Sequence, residues 1–597
     1  MSFFDDASLA FLPSGGAGKD TKAYSIKPTD GSGDFTFSRG SNLAATRVGP
    51  TGLIEKGREN LLLQSNNFDT TWGTSSATPI SGYADRNGGT NAWLLRELAS
   101  TAPHWIRQSS GLYSGIGTFS FYAKKKDYDW VQFGRSGDGG DYANFNISNG
   151  TLGNVSGASI IDRKIDSVGN GWYRCSVTYI FGSNSFVGIA LIRSDVSTRY
   201  ESYLGDGTSG TYIQDAQVEI GLAATDYIES GATTGKAGLL EDEPRFDYSG
   251  GATCPSLLLE PSRTTILPYS EYFQGWHSNS NVLFSYNEAT SPEGLTNAAK
   301  ITANGTSGAY FRHTTSATAG DNTFSIFAKY DDCQYIALRI GFFTGGDDGT
   351  VWFDIQNGVK AGSDGSVMEY DIEDYGNGWY RCYVVHNVDA ADLTGYAFVF
   401  LTNQDEDTLV TNGTGTYFYG AQWEEGSYPT SYIPNHSGGS VTRGGDDLAL
   451  DGMQSNGIFS ASAGTLLLDI KRGVSQDNSE IIFNFIDTSN VEAIRLYYSN
   501  EGEVSSFRVR NNLDFEFVIN TTSLGFSPKI AISWDGTSRL EVFGNGAKIP
   551  KTGGNFSRNV DINEFALENT NSNLTELNKI IFFPEALSDA DCITLTT

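Results

Sequence analysis

The heptapeptide GNGWYRC occurs twice, at Gly169–Cys175 and Gly376–Cys382, 207 positions apart. Self-similarity at a long fixed spacing constrains a fold more than local propensity does, because each copy must be a complete structural unit. Four further blocks repeat in the same order. Asn60–Trp72 matches Thr265–Trp276, Thr118–Phe133 matches Thr323–Leu338, Phe145–Gly153 matches Phe353–Gly362, and Thr211–Ile228 matches Thr416–Ile433. All five blocks share an offset of 204–208 residues, so the chain carries a tandem domain duplication with units of about 170–175 residues.

Each unit reads as strands. Asn-Gly stands between strand-like flanks at Asn149–Gly150 and Asn357–Gly358, the strongest short hairpin signal. Aromatics make up 13% of the chain and there are 70 glycines, a composition that suits short half-buried strands closed by turns. No stretch has sustained helical or heptad periodicity, which excludes a coiled-coil shaft. Turn-bounded strands about every ten residues predict a two-sheet sandwich. Successive strand residues face opposite ways, so the paired copies also predict side-chain direction. Phe119/Phe324, Phe121/Ile326, Ala123/Ala328, Val131/Ile336, Phe133/Leu338 and Cys175/Cys382 are expected in the core. Trp172/Trp379 and Arg174/Arg381 are expected on the opposite face, with arginine stacked on tryptophan.

The remaining chain divides around these units. The expected segments are 1–59, an extended anchoring strap; 60–232, the first sandwich; 233–262, a connecting hairpin; 263–437, the second sandwich; 438–452, a Gly-rich linker; and 453–597, a third, different sandwich. Ser588 and Asp591 fit a capping box for a short helix at the end of that last unit.

The formal charge is −30, which opposes contact with nucleic-acid phosphates and anionic membranes. No run of 18 apolar residues is present, so no membrane insertion is expected. The first residues lack the basic stretch of a signal peptide, which predicts synthesis in a cytoplasm. The five cysteines are odd in number and lack CxxC spacing, so neither a disulfide framework nor a zinc site is expected. Gly15–Asp20 matches a phosphate loop only in part, because Pro13 and Asp20 stand where glycine and a hydroxyl residue belong.

The run Phe-Ser-Phe-Tyr-Ala-Lys, then Asn-Gly, then GNGWYRC, then AQWEEGSYPTSYIP at Ala421–Pro434, resembles the jelly-roll modules of bacteriophage virion appendage proteins, tail or head fibres, which are related to carbohydrate-binding modules. The opening segment and Cys254–Thr264 resemble the same group, and the last unit, with SWDG and EALSDADC, resembles a concanavalin A or laminin G sandwich. The resemblance implies an all-β chain: two tandem jelly-roll sandwiches, then a concanavalin A-like sandwich, with an extended anchoring segment in front. It implies a homo-oligomer, a trimer, on the virion exterior, in contact with other phage virion proteins and with host-surface glycans. In that arrangement residues 1–59 anchor and the last unit forms the tip. In the first copy Asp226 and Glu229 replace Ser431 and Pro434, so a contact made at that edge is expected in one copy only.

Three chemistries compete for the site. Sugars stack on aromatics, and Tyr122, Lys124 and Trp130, with their counterparts Phe327, Lys329 and Tyr335, are the candidate glycan-binding residues, each set expected on one face. Calcium suits the Gly-rich acidic loops holding Asp138 and Asp141, and Asp347 and Asp348, although Asp and Gly also make metal-free turns. No other cofactor is implied. For catalysis the five histidines form no HExxH and no GxSxG occurs, so the chain is expected not to be an enzyme. The competing readings are a decoration or collar protein whose aromatic faces are subunit contacts, and a glycosidase with an unassigned carboxylate pair.

Overall fold

The computed structural model describes residues 3–14, 18–40, 43–109, 113–136, 140–182, 186–341, 348–391, 393–460, 463–472, 480–487, 492–499, 506–511, 515–520, 528–535, 539–550, 552–553, 562–567 and 574–597. GNGWYRC is a hairpin turn feeding a strand. Asn170 and Gly171 have φ of 53° and 77°, and Asn377 and Gly378 repeat this at 54° and 77°. Two successive positive-φ residues make the two-residue turn whose twist matches that of paired strands, which is why Asn-Gly stands there. The turn joins Ile160–Gly169 to Trp172–Phe181 in the first copy.

The two copies build the same sandwich, the first with one extra short strand, Ser202–Leu204, paired to Thr101–Ser109. In the first, one sheet runs Ile160–Gly169, Trp172–Phe181, Gly115–Lys125, Gly210–Ile220, Ala92–Glu97, Ala77–Tyr83. The facing sheet runs Thr151–Ser156, Tyr142–Asn146, Trp130–Ser136, Phe186–Ile192, Thr101–Ser109, with Gly73–Ser75 on the last strand. In the second, Glu369–Asp374, Trp379–Val388, Gly320–Tyr330, Gly415–Glu425, Thr296–Ala303 and Val282–Thr290 form one sheet. Val359–Gly365, Gly349–Asp354, Tyr335–Gly341, Thr394–Thr402, Tyr310–Ser316 and Ser278–Ser280 form the other. These are jelly-roll sandwiches. Their cores hold the parity read from the sequence: Phe119, Phe121, Val131, Phe133 and Cys175 are fully buried, as are Phe324, Ile326, Ile336, Leu338 and Cys382. All five cysteines are free, and only Cys254 is exposed.

The block Ala421–Ile433 and its counterpart owe their similarity to a buried polar staple. Glu219 accepts from Thr225 N (2.8 Å), Thr225 Oγ1 (2.6 Å) and Gln217 Nε2 (2.6 Å). Glu424 does the same with Thr430 N, Thr430 Oγ1 and Gln422 Nε2. Gln217 and Gln422 in turn accept from Ile228 N and Ile433 N, both at 2.7 Å. Each carboxylate is thus hydrogen-bonded at both oxygens, the condition for burying a charge at tolerable cost.

The third sandwich is not confined to residues 453–597. One sheet contains Phe246–Asp247, Ser256–Leu258, Leu574–Phe583, Gly464–Arg472, Lys529–Trp534, Leu540–Gly544 and Ala547–Lys548, with Leu9–Phe11 also pairing to Leu574–Phe583. The other begins Gly18–Lys19, Lys22–Ala23, Phe35–Ser38, Asp447–Asp451, Ile562–Leu567 and continues through Glu480–Asp487. Leu9, Phe11, Phe35 and Phe37 lie in its core beside Leu466, Trp534 and Phe582. Residues 9–38 are therefore part of this sandwich and not a separate strap, while Thr46–Val48 and Ile54–Lys56 form a hairpin of their own, and an anchor and a tip at opposite ends cannot be made from 1–59 and 453–597. The Gly-rich linker is likewise structured: Val441–Arg443 pairs with Arg263–Thr265, and Asp447–Asp451 is a sheet strand. Asp589–Thr596 is an eight-residue helix in which Ser588 Oγ accepts from Asp591 N at 3.2 Å.

Between the two jelly rolls, Lys56 and Arg58 reach into a nest of acids. Lys56 lies 3.0 Å from Glu293 and 3.5 Å from Glu271, and Arg58 lies 2.9 Å from Glu293 and 3.7 Å from Glu219. Burial pushes the Glu293 carboxyl up, but the two cations outweigh it and hold the group near 2. A carboxyl depressed from 4.5 stabilises the fold above pH 4.5, and that contribution is lost as the pH falls towards 2. His313 behaves differently. Burial, then the His277 ring stacked 4.2 Å away, lower it from 6.5 to about 4. The unfolded chain then takes up a proton first, so stability is full above pH 6.5 and falls between 6.5 and 4. Acid unfolding is expected in two stages, and His313→Gln is expected to shrink the first. Urea midpoints measured from pH 7 to pH 3 check this; identical slopes for wild type and variant above pH 4.5 would refute it.

Candidate functional site

The expected glycan-binding sets do not share faces. Tyr122 and Lys124 lie on Gly115–Lys125, whereas Trp130 begins Trp130–Ser136 in the opposite sheet. Phe327 and Lys329 are separated from Tyr335 in the same way. Consecutive strands of a jelly roll cross from one sheet to the other, so outward parity in two such strands points to opposite surfaces of the sandwich. Tyr122 and Phe327 are also closed off. Tyr122 packs with Ala92 and Trp172, with Arg86 4.1 Å and Arg174 5.4 Å from its ring centre. Phe327 is fully buried with Ile54, Trp379, Tyr419 and Tyr432. Arg174 and Arg381 stack on Tyr122 and Phe327, not on Trp172 and Trp379. Lys124, Lys329, Trp130 and Tyr335 are half-buried.

Asp138 and Asp347 of the proposed calcium loops lie outside the described residues. Asp141 is buried, 2.8 Å from Arg135 and 2.6 Å from Ser159 Oγ, and Asp348 is paired with Arg339. Both carboxylates already neutralise a guanidinium, which removes the charge that would attract calcium. No cluster of three or more His, Cys, Asp or Glu suited to a metal occurs among the described residues.

A more open outward face belongs to the other sheet of the first sandwich. In the first copy Thr101–Ser109 presents Trp105 and Arg107, and the neighbouring Phe186–Ile192 presents Phe186, which is 37% exposed. The Arg107 guanidinium lies 4.4 Å from the Trp105 ring and 4.9 Å from the Phe186 ring. Leu61, Leu63, Thr71, Thr74 and Thr234 wall this strip into a cleft of about 700 Å³, inside the range of small-ligand sites, about 300–1,000 Å³. Beside it the Tyr200 ring packs 5.9 Å from Trp105. Tyr200 has φ of 52°, a conformation costly for a bulky residue, and is held there by Gln132 Oε1, which accepts from its N at 2.8 Å. Its hydroxyl donates to Gly134 O at 2.8 Å, and burial pushes it up to about 12, so it stays protonated. Gly134 must be glycine because a Cβ would stand 2.4 Å from the Tyr200 ring.

The second copy has a platform at the same place. Tyr310 and Arg312 occupy the positions of Trp105 and Arg107, on Tyr310–Ser316, with Tyr396, Phe398 and Phe400 on the adjoining strand. Phe398 and Phe400 stack at 5.3 Å and 7° between planes, and Tyr310 lies 5.5 Å from each. Here the aromatics form a ladder in which Tyr310 is tilted 64° and 57° to Phe398 and Phe400, and Phe398 is buried. Sequence reading missed both platforms, yet a signal was present: Trp-Ile-Arg at 105–107 and Tyr-Phe-Arg at 310–312 form one more block at the common offset.

No protein-family model matches the sequence. No curated protein matches it. Solved structures align with it at low similarity. The carbohydrate-binding module CBM40 of the Ruminococcus gnavus IT-sialidase, bound to α2,3-sialyllactose, is 16% identical with a TM-score of 0.19, over 23% of this chain and 82% of that one. The CBM22-1–CBM22-2 tandem of Paenibacillus barcinonensis Xyn10C is 10% identical with a TM-score of 0.20, over 65% and 99%. Trypanosoma rangeli sialidase is 9% identical with a TM-score of 0.21, over 98% of each chain. The expectation that the chain is not an enzyme is withdrawn on this finding, since a sialidase aligns along almost its whole length. Scores this low assign no activity either.

Proposed function

We propose that this chain is a glycan-binding adhesin, a fibre or spike subunit of a phage virion. The observation that supports the binding reading is the arginine–aromatic platform repeated on the same sheet of both jelly rolls, at Trp105/Arg107 and Tyr310/Arg312. Aromatic rings offer an apolar stacking surface and the guanidinium offers hydrogen bonds in its own plane, the pairing a pyranose needs. Two platforms on one subunit, multiplied in a trimer, would raise weak affinity by avidity. The virion exterior, the trimer and the host-surface ligand come from the sequence resemblance and are part of the proposal.

A glycan array probed with the full chain tests the binding reading. Trp105→Ala is expected to weaken the first platform by about tenfold or more, the usual cost of losing a central aromatic anchor. Silence across the array would sink the proposal. A second reading, a rigid decoration or collar subunit, is favoured by the buried ion networks that lock the three sandwiches together. It predicts that Trp105 and Tyr310 are covered by neighbouring subunits in a particle map.

A further inference from the structure

We infer that the ladder on the second jelly roll takes a saccharide bearing a carboxylate, and that Arg312 binds that group. This rests on the glycan reading and narrows it to a ligand class. Arg312 stands within the ladder, its guanidinium 4.6 Å from the Tyr396 ring, 5.1 Å from Phe398 and 5.9 Å from Tyr310. Ring stacking occupies the faces of a guanidinium and leaves its in-plane N–H fork for another group. The Arg312 Nε is buried and makes no hydrogen bond. No ion pair joins Arg312 to any described residue.

Its surroundings sharpen the point. Arg339 lies one strand further along the same row, across Phe398, and is neutralised by Asp348. Among the described residues Arg312 has no such partner, in a chain with 70 acidic and 40 basic residues, so a shortage of carboxylates is not the reason. A half-buried cation among aromatic rings is poorly solvated, and a carboxylate accepting two parallel N–H bonds from the fork is the arrangement that relieves it. Tyr310 and Tyr396, both half-buried, then border the sugar carrying that carboxylate, while Phe398 is buried beneath. One guanidinium in a chain of charge −30 does not suit a polyphosphate, which needs several cations along its track.

The test uses the full chain with Trp105→Ala, so that the first platform does not contribute. It is applied at about 0.15 M salt, where the Debye length is about 8 Å and the repulsion between a net-negative chain and an acidic ligand is largely screened. The array pairs hexuronate and sialic-acid oligosaccharides with their methyl esters, their neutral parents and sulfated counterparts. The free acids are expected to bind about tenfold to a hundredfold more tightly than the esters, the range for a charged hydrogen-bonded pair. Arg312→Gln is expected to level acid and ester, and Arg312→Lys to recover only a minor part, because an ammonium lacks the fork. Hydrogen exchange on Gly320–Tyr330 confirms that each variant is folded. Equal binding of acid and ester overturns the inference, as does an acid preference that survives Arg312→Gln or a preference for sulfate. Binding of neutral glycans alone sinks this inference and leaves the adhesin reading standing; silence from every ligand sinks both.

Discussion

Removal of residues 1–38 is expected to unfold the third sandwich while both jelly rolls stay folded. The deletion takes out Leu9–Phe11, which pairs with Leu574–Phe583, and Phe35–Ser38, which lies between Lys22–Ala23 and Asp447–Asp451. Leu9, Phe11, Phe35 and Phe37 are all fully buried in the sandwich core. At about 1.5–3 kcal/mol for each large apolar side chain, the loss is roughly 6–12 kcal/mol as an upper estimate. That equals the whole stability of an ordinary domain, about 5–15 kcal/mol. The deletion also bares one edge of Asp447–Asp451, an invitation to pair with another chain. Hydrogen exchange reads the result by region: Gly464–Arg472 and Leu574–Phe583 should exchange at unfolded rates, and Gly115–Lys125 and Gly320–Tyr330 should stay protected. Protection of Gly464–Arg472 in the truncated chain would show the sandwich to be autonomous. Phe35→Ala alone should cost about 3–5 kcal/mol, the range for a buried phenylalanine.

The repeat made half of this architecture legible. Two copies of one strand pattern expose their core parity without a structure, because substitutions such as Phe121 for Ile326 are tolerated only where size and polarity are held. What sequence could not show is which sheet a strand enters. Trp130 and Tyr122 are eight residues apart with the right alternation, yet the chain crosses the sandwich between them, and crossing leaves no mark on periodicity. Nor could it show that Phe35-Thr-Phe37 pairs with a strand over 400 residues later, since strand pairing carries no local signature. One divergence was informative. Ser431 differs from Asp226 because only the second jelly roll meets the third sandwich there: Ser431 is hydrogen-bonded to Arg245, Glu260 and Arg443, while Asp226 is exposed.

That junction carries the second large effect: Asp446→Asn is expected to cost about 3–5 kcal/mol, as removing one partner from a buried ion network does, and to split one cooperative transition into several. Among the described residues, Arg39, Arg245 and Arg443 are ion-paired to two carboxylates, Asp446 and Glu260, and the acid side chains are at most 6% exposed. Asp446 Oδ1 accepts from Arg39 at 3.3 Å, and its Oδ2 accepts from Arg245 and, at 2.9 Å, from Glu260 N. Glu260 Oε2 accepts from Arg245 at 2.8 Å, and from Arg443. The three guanidiniums are shifted unequally by this environment. Burial lowers Arg39 to about 10 despite Asp446, and lowers Arg443, while Asp446 and Glu260 overcome burial to raise Arg245. Glu260 is pushed up by burial but held near 2 by Arg443 and Arg245. Neutralising Asp446 leaves three guanidiniums against one carboxylate in a dry site. The four pieces that meet there are the opening segment through Arg39, the hairpin through Arg245 and Glu260, the second jelly roll through Ser431, and the third sandwich through the strand that Asp446 precedes. Differential scanning calorimetry of the variant should show separate transitions for the jelly rolls and the third sandwich. Adding Arg39→Met should recover part of the loss, because it removes one of the uncompensated charges, and the double-mutant cycle gives the coupling. A single transition shifted by less than about 1 kcal/mol, the size of an exposed pair, would mean that the network is solvated and that apolar packing alone joins the sandwiches.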